Sequence, residues 1–173
     1  HDEQMKARID RLKNFGIVDE VTISDAGING KMSEVNAAFG LLQLRYVDMA
    51  LQKRKTVDDL YCKQLSCVKG LKIVGKVGGL ESNYSYFPVL IENDYPLSRD
   101  ELYEKLKEGN VFARRYFYPL ISDAAPFKKY NSADSSNIKI AKRMAEKIVC
   151  LPIYPDLEYA EINRVVRIIN EYK

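Results

Sequence analysis

Residues 27–44 read G-I-N-G-K-M-S-E-V-N-A-A-F-G-L-L-Q-L, a short loop that must turn into a helix. Gly27 and Gly30 admit positive φ, so the backbone there can curl and come close to a ligand. Ser33 is a favourable N-cap, and Glu34 sets a negative charge in the first turn, where the helix end is positive. Lys31 adds a cation just before that end. A loop running into a helix N-terminus offers free N–H groups and a partial positive charge, which together can hold a phosphate. The spacing is not that of a Walker A loop, because Met32 separates Gly30-Lys31 from Ser33. The alternative is an ordinary helix entry with a tight turn and no ligand.

From Ser33 the helical pattern continues to about Leu65. Val35, Ala38, Phe39, Leu42, Tyr46 and Met49 form one apolar stripe; Ala37, Leu41, Leu44 and Leu51 fall largely on a second. Two apolar faces imply that the first half packs against two things. An uninterrupted helix of that length would span on the order of 45–50 Å, enough to cross a domain junction or a subunit interface. A break near Met49 to Gln52 is the alternative.

Upstream, Met5, Ile9 and Leu12 recur at helical spacing between charges over Asp2 to Phe15, and Gly16 is placed to end that helix. Val21 to Ile23 is a short β-like run. Downstream, Gly70 to Val74 and Tyr84 to Ile91 read as strands, with Pro88 pointing to an edge position or a bulge. Lys76 to Ser82 is a glycine-containing loop. Ser98-Arg99-Asp100-Glu101 is a capping box opening a helix to about Glu108. Val111 to Tyr118 is expected as a strand, Ser122 to Asp134 as a loop, Ser136 to Ile148 as a helix, Val149 to Leu151 as a strand and Glu158 to Glu171 as the last helix. This β-β-α-β-α-β-α order after one long helix implies an α/β two-layer sandwich (an α+β fold), mostly antiparallel, with helices on one face.

The 173 residues carry 27 basic and 24 acidic side chains, a net charge of +3 that argues for neither nucleic acid nor a membrane surface. Cys62, Cys67 and Cys150 lack metal-ligand spacing and are expected as reduced thiols of a cytoplasmic protein. The only histidine is His1, so histidine catalysis and zinc have little support. The chain starts at His1 and enters a charged helical pattern at once. That is the expectation for a cut inside a longer polypeptide; a tag residue before a native start is the alternative.

G-x-N-x-K-M-S-E followed by A-A-x-G-x-x-Q-L resembles the signature of the DegT/DnrJ/EryC1/StrS family. The likeness extends to R-L-K-N-F-G-I (Arg11 to Ile17), F-A-R-R-Y-F-Y-P-L (Phe112 to Leu120) and L-P-I-Y-P-D-L (Leu151 to Leu157), in the family's order over nearly the whole chain. The resemblance implies a pyridoxal-phosphate-dependent aminotransferase that moves an amino group, from glutamate, to a nucleotide-linked keto-sugar. It implies the small C-terminal domain of a fold-type I aminotransferase, in which 1–32 is a remnant of the large domain, 33–66 the connecting helix and 67–173 the small domain.

The same resemblance places the Schiff-base lysine upstream of His1, so no catalytic residue is nominated here and the chain alone is expected to be inactive. Asn29 matches an asparagine that reaches the cofactor phosphate across a homodimer interface, and Lys31 matches a position often held by arginine. Arg115, Tyr116 and Tyr118 match a region bordering the sugar-nucleotide site, and R-Y-F-Y-P-L looks like members that aminate C3 of a dTDP-linked 6-deoxy sugar. Strand alternation sets Arg115 and Phe117 on one face and Arg114, Tyr116 and Tyr118 on the other. On residues alone, Asn29 reads equally as a loop residue tolerating αL, and the 114–118 run as a half-buried strand with snorkelling arginines. Cys62 and Cys67 read as helix-face residues, Tyr84 and Tyr86 as sheet packing. Two other readings stand beside the enzyme: an α/β phosphate-binding module without catalysis, and a purely structural interaction domain.

Overall fold

The structure is a computed structural model that describes residues 2–74 and 80–173. His1 and most of the glycine-containing loop expected at 76–82 lie outside the described residues. The chain divides into two compact units, His1–Val47 and Asp48–Lys173.

In the first unit, helix α1 (Glu3–Leu12) is capped by Asp2, whose carboxylate accepts from Met5 N at 3.0 Å. Gly16 follows at φ +75, and its N–H returns to Arg11 O at 2.8 Å. The segment after α1 is laced to the 24–30 loop: Ile28 N donates to Leu12 O and Gly30 N to Lys13 O, both at 2.8 Å, and Phe15 N donates to Ile28 O at 3.1 Å. A Cβ at Gly27 would lie 2.3 Å from Gly16 N, so glycine is what allows these backbones to meet. Residues 21–23 form no strand; Ile17 and Ile23 make one isolated bridge.

Helix α2 (Glu34–Leu44) opens on Ser33, whose Oγ accepts from Asn36 N at 3.3 Å. The expected run to Leu65 is two helices, not one. Arg45 N bonds Leu42 O and Tyr46 N bonds Gln43 O, tightening the last turn, and α3 (Val47–Leu65) starts anew. Neither glycine nor proline marks this break, which falls ahead of the 49–52 alternative. No residue of α2 is buried within the chain; Val35 is 78% and Leu44 67% exposed.

In the second unit, α3 is followed by β1 (Leu71–Ile73), β2 (Phe87–Ile91), α4 (Arg99–Glu108), α5 (Lys139–Lys147), β3 (Ile148–Leu151) and α6 (Tyr159–Asn170). The sheet is antiparallel in the order β1-β2-β3. Period-two alternation puts Leu71, Phe87, Val89, Ile91, Val149 and Leu151 on one face. They share one core with Val57, Tyr61 and Leu65 of α3, Leu102 and Leu106 of α4, and Ile162, Val165 and Ile169 of α6. The capping box of α4 is formed: Ser98 N donates to Glu101 Oε2 at 2.7 Å and Glu101 N to Ser98 Oγ at 3.3 Å.

Two further expectations are corrected. Pro88 lies in the central strand, yet it costs no ladder bond on the β3 side. Its carbonyl accepts from Val74 N at 3.2 Å just beyond the end of β1, and its missing donor faces that same side, where β1 has stopped. Residues 111–118 are not a strand. Only Arg114 bridges to Cys150, and the chain then turns, with Tyr118 N bonded to Arg115 O at 3.2 Å. No helix among the described residues is long and apolar enough to cross a membrane.

Candidate functional site

Asn29 and Lys31 belong to the first unit. The Asn29 backbone bridges to Asn14, while its side chain is exposed and its amide bonds to no other described residue. Lys31 is held: Nζ donates to Asn14 Oδ1 at 3.0 Å and stands 4.6 Å from the Phe15 ring centroid. The loop's own N–H groups are less available than its glycines suggest, because those of Ile28 and Gly30 are spent on α1. The remaining donors are the Asn29 amide, the two N–H groups of the Lys31 ammonium not given to Asn14, and the first N–H groups of α2, with Ser33 taking only Asn36 N. Donors of this kind, with one full positive charge, fit a phosphate.

Arg115, Tyr116 and Tyr118 belong to the second unit, and turn geometry groups them differently from strand alternation. Arg115 Nη1 donates to Asp100 Oδ1 at 2.9 Å, and the guanidinium lies 4.4 Å from the Tyr103 ring and 5.5 Å from Tyr118. Tyr118 also carries Arg99 at 4.5 Å. Arg99, only 3% exposed, donates through Nη1 to Ala145 O at 2.7 Å and Ile148 O at 3.2 Å, and through Nε to Asp100 at 2.8 Å. Partial burial pushes the Asp100 carboxyl up, but the hydrogen bonds and charges of Arg115 and Arg99 outweigh it and hold the pKa below the usual carboxylate range. Arg115 is therefore committed to structure.

Tyr116 turns away from this cluster. Its ring packs on Tyr86 at 4.8 Å and on Phe117 at 4.2 Å, and its hydroxyl accepts from Tyr86 at 3.1 Å. That hydrogen bond, with some burial, raises the Tyr86 pKa. Tyr86 thus pairs with Tyr116 outside the sheet and does not pack in it.

Arg99 and Asp100 were legible only as the middle of a capping box. Nothing in the spacing links them to residues 15 or more positions away. Among the described residues no cluster of His, Cys, Asp and Glu could hold a metal ion, and all three cysteines are free of disulfides. Cys62 lies on α3, as expected; Cys67 falls just past its end and is exposed.

The sequence profile of the DegT/DnrJ/EryC1/StrS aminotransferase family matches residues 1–170. The dTDP-4-amino-4,6-dideoxy-D-glucose transaminase of Escherichia coli is 47% identical over 168 residues, 97% of this chain and 45% of the relative. The enzyme of that name from Shigella dysenteriae is 49% identical over 172 residues, 99% of this chain and 46% of the relative. The chain thus spans less than half the length of these relatives. The crystal structure of DesV from S. venezuelae shares the fold, with a TM-score of 0.87 at 20% identity, covering 99% of this chain and 44% of that one. On the profile match across 1–170, this chain belongs to the DegT/DnrJ/EryC1/StrS aminotransferase family.

Proposed function

We propose that the chain is the C-terminal portion of a cytoplasmic, homodimeric aminotransferase acting on a nucleotide-linked keto-sugar, dTDP-linked by analogy with its relatives and aminated from glutamate. Residues 1–32 are read as a remnant of the large domain. The cofactor of this family is pyridoxal 5′-phosphate, which when bound supplies the electron sink for amino-group transfer. The observation that carries the reading is the exposed Asn29 amide together with the Lys31 ammonium, which gives one of its three N–H groups to Asn14, beside the α2 N-terminus.

Asn29 binds the phosphate through its amide N–H, a neutral donor that orients the group. Lys31 adds charge from a fixed position above Phe15. Tyr116 and Tyr118 line the sugar-nucleotide side. Arg115 contributes there by holding Tyr118, since its own donor is engaged with Asp100.

The reactive lysine is supplied by polypeptide beyond this chain, which alone transfers no amino group. In the whole enzyme, Asn29→Ala should weaken cofactor binding about tenfold, the worth of one good hydrogen bond to a charged group. Unchanged cofactor affinity would overturn the role of Asn29. Borohydride trapping of pyridoxal phosphate on one defined lysine of the 173-residue chain would overturn its inactivity.

A further inference from the structure

Asn29 is the one asparagine in the sequence that is followed by a glycine, Gly30. Both residues are exposed. A peptide nitrogen that follows an asparagine can attack the side-chain amide carbon and close a five-membered imide. Glycine favours this closure, because it has no Cβ to crowd the nucleophile and leaves the backbone free to rotate. The dipeptide therefore marks Asn29 as chemically labile.

The fold clamps the same pair. Asn29 stands opposite Asn14 in an isolated antiparallel bridge. Gly30 N donates to Lys13 O at 2.8 Å on one side of it, and Phe15 N donates to Ile28 O at 3.1 Å on the other. Both peptide groups next to Asn29 are thus tied to the segment behind α1, and one of them contains the nucleophile. Closure needs the Gly30 nitrogen to swing about the Asn29 Cα–C bond onto Cγ, and it cannot do so while Lys13 O holds its hydrogen. Behind this pairing lie Gly16, at φ +75, and Gly27, where a Cβ would fall 2.3 Å from Gly16 N. The Asn29 side chain itself is exposed and bonds to no other described residue.

We propose that Asn29-Gly30 is a site of spontaneous deamidation gated by the Gly30–Lys13 hydrogen bond. When that bond opens, hydroxide takes the Gly30 N–H proton and the nitrogen forms a bond to Asn29 Cγ. The Cγ–Nδ2 bond breaks, and the nitrogen leaves as ammonia with a proton from water. Water then adds to either carbonyl of the imide. Opening at Cγ leaves aspartate at position 29; opening at the main-chain carbonyl leaves isoaspartate. Nothing is oxidised or reduced. Either product sets a carboxylate near Lys31, whose Nζ already donates to Asn14 Oδ1 at 3.0 Å. Isoaspartate also lengthens the main chain by one carbon, which breaks the pairing with Asn14. The inference concerns the chain's own chemistry and does not rest on a phosphate at Asn29; where that reading also holds, the new charge repels the phosphate.

The test is incubation of the 173-residue chain at mildly alkaline pH, native and in guanidinium chloride, with peptide mass mapping and an isoaspartyl assay at Asn29. The native chain should react about tenfold or more slowly than the unfolded one, because only the opened fraction closes the ring. Gly16→Ala, which loosens the 13–30 loops, should raise the native rate about fivefold or more. In denaturant, where folding plays no part, Gly30→Ala should slow the reaction about tenfold by crowding the nitrogen. Where Gly16→Ala does not fold, the comparison of native with unfolded chain decides. A native chain that deamidates at Asn29 as fast as the unfolded chain would overturn the gate. So would an unchanged rate in folded Gly16→Ala. Another asparagine reacting ahead of Asn29 in denaturant, or no slowing by Gly30→Ala there, would overturn the site itself.

Discussion

Arg115 donates to Asp100 Oδ1 at 2.9 Å, and this contact separates the two adjacent arginines of the 112–118 segment. One is tied to α4 through a carboxylate that also accepts from Arg99 at 2.8 Å; the other keeps its guanidinium open.

Removing that carboxylate tests the tie. The Asp100 side chain is 55% exposed, so water screens much of its charge. Asp100→Asn should cost about 0.5–1.5 kcal/mol at pH 7, read from urea midpoints. Its folded pKa is lowered, so the stabilisation is present above the ordinary carboxylate range and is lost as pH falls through the depressed value. The native chain should therefore lose more stability than Asp100→Asn below about pH 4.

Arg99 is the more costly residue. It is nearly sealed, and its Nη1 serves Ala145 O and Ile148 O, at and beside the C-terminal end of α5. Arg99→Met keeps the aliphatic bulk but strands both carbonyls and uncovers Tyr118. A loss of about 2–4 kcal/mol is expected in denaturant melts. Arg99→Lys should recover only part of it, because an ammonium cannot reach two carbonyls, a carboxylate and a ring face at once.

Elements written in local spacing were legible in the sequence. Ser33 and the Ser98–Glu101 box cap the helices they were expected to cap, and Ile162, Val165, Val166 and Ile169 of the expected last helix face the core. What failed depended on distant partners. The aromatic 111–118 run has strand composition, but only Arg114 finds a ladder partner, and arginine stacking on Tyr118 takes the rest out of the sheet. Pro88 reads as an edge residue until β1 is seen to end one residue short of it. At the candidate site, Asn29 and Lys31 follow from the motif, whereas the Asn14 and Phe15 contacts that fix Lys31 come from seventeen and sixteen residues away.

Gly16 offers a test of the packing beneath Asn29 and Lys31. Its φ is +75, and a Cβ there would fall 1.8 Å from Asp25 O, backbone that has no room to yield. Gly16→Ala should destabilise the 13–30 loops by roughly 2 kcal/mol or more. Faster amide hydrogen exchange at Ile28 and Gly30, whose N–H groups bond Leu12 and Lys13, is the measurement that reads it.

Two phenylalanines make the contrast between the units quantitative. Phe87 is 2% exposed and packs on Tyr61 at 4.9 Å in the core of the second unit. Phe39 sits on the apolar stripe of α2 at 61% exposure. Both rings are equally apolar, so composition alone would assign them equal weight; burial decides otherwise. Phe87→Ala should cost about 3–5 kcal/mol, the transfer of a buried ring plus the cavity it leaves. Phe39→Ala should change the stability of this chain by no more than about 0.5 kcal/mol, since its surface is already in water and alanine is the better helix former. A large loss from Phe39→Ala in urea melts at low protein concentration would mean that the α2 stripe is covered within the chain, contrary to its observed exposure.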